Sequence, residues 1–130
     1  MQVILGTGAG AIDVTSAVQE STYEVDRVKK YIAWTSADNV EVHENVHYKI
    51  EGIFDMVFMP NYSMEYEDFL EALSDNTVGD VVTMQLTVNN LDEELRTIEC
   101  FVDIKFTPIK DPKNGSGIKV KRCTCTVKEC

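Results

Sequence analysis

Cations are scarce in this sequence: 12 Lys and Arg stand against 22 Asp and Glu in 130 residues, a formal charge of −10. Nucleic-acid affinity rests largely on Lys and Arg displacing phosphate counterions, so DNA and RNA drop out as expected partners. Long apolar runs are missing as well. No stretch approaches the ~18 consecutive apolar residues of a membrane helix, and Met1 to Leu5 has neither the basic flank nor the apolar length of a signal peptide. The expectation is a protein made in the cytoplasm, with no membrane partner. No low-complexity segment, internal repeat or linker interrupts the chain, which predicts one domain over residues 1–130. A chain of this length buries roughly two-thirds of the surface its unfolded form exposes, enough core to fold without disulfide staples.

The charge that is present is unevenly placed. Residues 1–104 carry 5 basic and 20 acidic side chains, net −15, whereas residues 105–130 carry 7 basic and 2 acidic, net +5. Complementary patches steer association and fix register, so this split suits a subunit that docks on copies of itself. It marks Lys119, Lys121 and Arg122 as self-association candidates. The plainer alternative is that these cations solvate an edge strand and suppress unwanted pairing.

The clearest periodicity runs from Val46 to Phe58, where Val46, Tyr48, Ile50, Phe54, Met56 and Phe58 share one side of a period of two, with Gly52 in the middle. That predicts a long half-buried strand with a bulge or bend at Gly52. Val82, Met84, Leu86 and Val88, then Ile98, Cys100, Val102, Ile104 and Phe106, alternate with polar residues on either side of Asn89-Asn90-Leu91-Asp92-Glu93. This is the signature of a long β-hairpin, with Phe101 as an outward aromatic and candidate contact point. One helix is predicted over about residues 63–74, capped by Ser63 and carrying an apolar stripe of Phe69, Leu70 and Leu73. A last strand is expected over Ile118 to Val127, bulged or at an edge where the parity slips near Lys121-Arg122. Shorter strands are expected near Gln2 to Leu5, Ile12 to Thr15 and Tyr31 to Trp34, with Trp34 read as core. The fold class is mainly β: an antiparallel β-sandwich or barrel with one short α-helix.

His43-Glu44-Asn45-Val46-His47 matches the H-E-x-x-H of zinc metallopeptidases. That chemistry needs both histidines on one helix face, Glu44 as general base, and a third ligand such as Glu65, Glu67 or Glu71. The local residues favour a strand instead, because Val40, Val42, Val46, Tyr48 and Ile50 are β-branched, aromatic and alternating. On a strand His43 and His47 stand about 13 Å apart, at ~3.3 Å per residue, too far to share one ion. The expectation is no catalytic residue, no metal and no cofactor, with the peptidase built on His43, His47, Glu65 and Glu44 as the alternative. Cys123-Thr124-Cys125, with Cys130 and Cys100, invites a metal or disulfide reading, but the single residue between Cys123 and Cys125 is unusual for structural zinc, which prefers C-x₂₋₄-C. Free thiols are expected, with a metal or disulfide role for Cys123, Cys125 and Cys130 left open. Gly6-Thr-Gly8-Ala-Gly10 has the wrong spacing for a nucleotide loop and reads as a turn between two strands.

Ile12-Asp13-Val14-Thr15-Ser16-Ala17-Val18 resembles the opening of small tail proteins encoded in phages and prophages of Gram-positive bacteria. Residues 49–58 resemble the strand that follows there, Met64 to Leu73 resembles their short helix, and Val88-Asn89-Asn90 with Cys100 to Ile104 resembles their later hairpin. The resemblance covers residues 11–106 in patches. It implies a tail-tube or baseplate-hub type subunit that assembles into rings, has no catalytic residues, and partners copies of itself and other tail proteins. The location it implies is a virion tail or phage-tail-like particle. A binding module presenting Trp34, Tyr62 and Phe101 to a partner surface is a further possibility.

Overall fold

The computed structural model describes residues 1–58, 65–108 and 121–130. The alternation in the sequence builds the elements directly. In β6 (Val81–Val88), Val82, Met84, Leu86 and Val88 are buried, and β7 (Glu94–Pro108) answers with buried Ile98 and Cys100. Their register runs from Val88 opposite Glu94 to Val82 opposite Cys100, so the expected hairpin is present. Its turn places Asp92 and Glu93 in the left-handed region, at φ 54° and 56°.

Near the start of the chain, β1 (Val3–Leu5) and β2 (Ile12–Asp13) pair with each other around the glycine-rich turn. Two strands are longer than their sequence signals: β3 (Glu24–Thr35) and β4 (Glu41–Phe58). A two-residue β5 (Thr77–Val78) leads into β6, and β8 (Lys121–Glu129) is the last strand. All pairings are antiparallel, in the order β2-β1-β6-β7-β8-β4-β3, with β5 also on β6.

The fold is therefore mostly antiparallel sheet with a single short helix among the described residues, and the sheet is open. It curls so that the start of β3 meets the end of β6: the Tyr23 hydroxyl donates to the Thr87 carbonyl at 2.5 Å, and the Asn89 amide to the Val25 carbonyl at 2.8 Å. The concave side holds the core, including Leu5, Val25, Phe54, Met56, Leu86, Cys123 and Val127. Each large apolar side chain buried there contributes about 1.5–3 kcal/mol relative to exposure.

The helix, α1 (Tyr66–Asp75), covers part of this side, with Phe69 and Ala72 buried and Phe58 stacked on Phe69 at 5.4 Å between ring centroids. It starts later than the sequence suggested. Extended Glu65 takes the cap position without a side-chain cap bond, and Ser63 lies outside the described residues. Glu67 and Asp68 suit its positive end, while Asn76 Nδ2 and Thr77 Oγ1 satisfy the carbonyls of Ala72 and Leu73 at the other.

Two expectations about strand irregularity change. β8 lies between β7 and β4 with unbroken register from Lys121 onward, so Lys121 and Arg122 begin an interior strand and are neither bulge nor edge. Gly52 is no bulge either, since it pairs regularly with Val25 and Val127. It is glycine because a Cβ there would come within 2.4 Å of Val25 Cγ2 and 2.9 Å of the Glu24 carbonyl. The irregularity falls instead between Lys30 and Ile32, opposite Asn45 and Val46, where Asn45 adopts φ 55°.

Candidate self-association surface

β8 leaves β4 where Glu51 meets Lys128, yet β3 and β4 go on pairing to Thr35 opposite Glu41. From Asp26 and Glu51 outward, the two strands have no third strand beside them among the described residues. At ~3.3 Å per residue, the ten residues from Asp26 to Thr35 form an arm about 30 Å long. A turn closes it, with Ser36 N to Val40 O at 2.9 Å, Asn39 N to Ser36 O at 3.0 Å, and Asn39 at φ 60°.

An isolated two-stranded ribbon is marginal in water, so this one needs side-chain support. One face supplies it: the Arg27 guanidinium lies 4.7 Å from the Tyr48 ring centre, Lys29 Nζ lies 5.0 Å from that of Tyr31, and Tyr31 stacks on His43 at 3.9 Å. Such pairs contribute about 0.5–1.5 kcal/mol each. On the other face Lys30 bonds Glu51 at 2.6 Å. The arm also carries Tyr31, Ile32, Trp34, Val40, Val46 and Tyr48, all exposed, Ile32 by 57% and Trp34 by 43%. An apolar concentration of this kind on a projecting element makes the arm a candidate interaction surface. Trp34 thus belongs to the surface, contrary to its reading as core: its neighbour across the ribbon is Val42, and no second layer among the described residues covers it.

The H-E-x-x-H residues fall on this arm, in strand conformation. His43 is opposite Ala33 and His47 opposite Lys30, three positions apart on β3, so the bulge at Asn45 turns the two imidazoles to opposite faces. His43 Nδ1 lies 3.2 Å from Lys29 Nζ and its Nε2 3.5 Å from Glu41, while His47 Nδ1 lies 2.7 Å from the Asn45 carbonyl oxygen. Glu65 is on the body at the helix start, and Glu44 pairs with Ile32 along the arm. The peptidase constellation is not assembled. No cluster of three or more His, Cys, Asp or Glu side chains able to hold a metal occurs among the described residues.

The other candidates scatter. Phe101 is exposed on the convex side of β7, opposite Lys128. Lys121 bonds Glu67 and lies over the Tyr66 ring, and Arg122 bonds Asp55 at 2.5 Å, so both cations have partners in their own chain. Lys119 and Tyr62 lie outside the described residues. The Thr124 hydroxyl donates to Asp55 at 2.7 Å, and these bonds, with Arg122, hold the Asp55 carboxyl below the usual carboxylate range. All four cysteines are free, with Cys100, Cys123 and Cys125 buried and Cys130 exposed. Burial pushes the Cys100 thiol up to about 12, and the contact with Cys123, together with burial, raises that of Cys125.

The arm as a whole was not anticipated. Its available signal was that Tyr31, Ile32 and Trp34 put apolar groups on both faces of a strand, but alternation alone does not separate a buried strand from a projecting one.

No protein-family profile matches the chain, and no curated protein matches it. Its fold is similar to that of a chain in the tail of an empty GTA particle computed with helical refinement and C6 symmetry, at TM-score 0.61 and 9% identity. The match covers 100% of this chain and 90% of the other.

Proposed function

We propose that this protein is a non-enzymatic structural subunit of a phage-type tail that works by assembling with copies of itself into a ring or tube. The observation that carries the reading is the full-length fold similarity to a chain of a six-fold tail particle. The exposed apolar arm supports it, because a projecting ribbon with unpaired backbone edges gains most by packing against, or extending, a neighbour's sheet. A heterologous contact that closes on rotation generates a ring, and stacked rings generate a tube. The same reading places the protein in a virion tail or phage-tail-like particle, beside other tail proteins, as one domain without a cofactor.

Size-exclusion chromatography with light scattering, over a range of protein and salt concentration, tests this, with negative-stain microscopy of the assembled fraction. Rings or tubes are the expected result. A strict monomer at high concentration in low salt would overturn the reading.

A further inference from the structure

Near its base one face of the arm carries cations, and the reverse face carries both signs, with Lys30, bonded to Glu51, and Lys49, opposite Val28, beside its carboxylates. Arg27 and Lys29 share one face with Tyr31 and Tyr48, since Arg27 pairs with Ile50 and Lys29 with Tyr48. Glu24, Asp26 and Glu51 lie on the reverse face, where Glu24 pairs with Ile53 and Asp26 with Glu51. There they border an open depression of about 300 Å³ that Val28, Ile53, Thr126 and Lys128 complete. Among the described residues Glu24 and Asp26 have no cation partner, and Arg27 and Lys29 no carboxylate partner. Exposed apolar groups lie beside unmatched charge on each face: aromatic rings with Arg27 and Lys29, and Ile53, 42% exposed, with Glu24 and Asp26 on the β3 side of the depression, whereas Lys49 and Lys128 lie on its β4 and β8 side.

Resting on the reading of this chain as a self-assembling subunit, we propose that the Arg27/Lys29 face of one copy's arm seats in the Glu24/Asp26/Ile53 depression of a second copy. The occupant follows from local complementarity, in both charge and apolarity, at the β3 side of the depression where Glu24, Asp26 and Ile53 meet. The two patches lie on opposite sides of one ribbon, so a copy that receives an arm on one face still offers its own on the other. The contact is heterologous and propagates from copy to copy, as a ring requires. Lys128 on the rim sets orientation, because it disfavours an approach that brings an arm cation to the Thr126 side. Exposed charge pairs are screened by salt, so this contact weakens as ionic strength rises.

A pair of charge reversals tests the contact. R27E/K29E makes the arm face acidic, and E24K/D26K makes the depression basic. Each variant alone then opposes like charge to like charge and is expected to lose assembly by about tenfold or more. Mixed in equal amounts they complement at both contacts, acidic arm on basic depression and basic arm on acidic depression. Mixed rings containing both variants, near wild-type yield, are the expected result. The milder R27Q/K29Q and E24Q/D26Q, checked by circular dichroism, replace any reversal that fails to fold, and are expected to weaken assembly and its salt dependence together. Wild-type assembly with unaffected variants, or with a mixture that stays monomeric, would overturn this contact and leave the tail-subunit reading standing. A wild-type protein that never assembles would overturn both.

Discussion

The Asn90 side chain binds both backbone groups of Arg27, its Oδ1 accepting from the amide at 2.7 Å and its Nδ2 donating to the carbonyl at 2.8 Å. One amide side chain thus occupies the hydrogen-bonding edge that a neighbouring strand would fill. It does so where the arm leaves the body, beside the Asn89 to Val25 and Tyr23 to Thr87 bonds. The β6–β7 turn is therefore the clamp that sets the arm's root.

Asn90→Ala removes both bonds. At ~0.5–1.5 kcal/mol each, the expected cost is about 1–2 kcal/mol, a melting-temperature decrease of several degrees. Amide hydrogen exchange localises the effect: the Arg27 amide loses protection, whereas that of Met84 in the sheet centre does not. Asn90→Asp keeps the acceptor for Arg27 N–H, and intermediate protection is expected.

Trp34 is the sole tryptophan of the chain and stands on the exposed arm, which makes it a native reporter of the proposed assembly. Its emission is expected to be that of a hydrated indole in dilute monomer and to shift to the blue as concentration drives association. Trp34→Ser removes a contact group without touching the core. Thermal stability is expected to change by less than ~0.5 kcal/mol, with self-association reduced. A large melting shift with unchanged association would contradict the assignment of Trp34 to an interface.

Asp55 joins β4 to β8 through Thr124 and Arg122, and its own amide donates to Thr22 Oγ1 at 2.9 Å. Since its carboxyl is held below the ordinary range, folding favours the ionised form. The stabilisation is present above the unfolded-state value, near 3.9 for a free aspartate, and is lost as pH falls through the lower folded-state value. Asp55→Asn is expected to flatten the acid limb of a stability-versus-pH curve and to cost about 1–3 kcal/mol at neutral pH, through loss of charge-assisted bonding to Arg122. Urea titrations at neutral pH and near pH 3 check both statements.

Burial protects three of the four thiols. A thiol reagent added to folded protein is expected to modify Cys130 quickly and Cys100, Cys123 and Cys125 only at the rate of unfolding, with all four reacting in denaturant. Mass spectrometry of the time course reads this directly.

Gly52→Ala is expected to destabilise by about 1–3 kcal/mol, because the new methyl must displace Val25 and the Glu24 carbonyl in the pairing of β3 with β4. Chemical denaturation measures the cost.

Much of the architecture was written in short-range pattern. The alternation of Val82, Met84, Leu86 and Val88 against Ile98 and Cys100 specifies a hairpin because successive side chains of a strand must point to opposite faces, whatever surrounds it. Likewise the stripe containing Phe69 specifies a helix, and Val40, Val42 and Tyr48 were enough to assign the H-E-x-x-H histidines to a strand. Those are properties of neighbours along the chain. What only the tertiary structure decided depends on which strand lies beside which. Lys121 and Arg122 became interior because β8 runs between β7 and β4. Trp34 became surface because β8 ends its pairing with β4 at Glu51 while β3 and β4 continue. His43 and His47 were parted because Asn45 takes a left-handed conformation that adds one residue to β4 and inverts its parity. Side-chain alternation is dictated by the pleat of a single strand, but exposure and co-facing depend on register and on where each partner strand stops, and no local pattern encodes those.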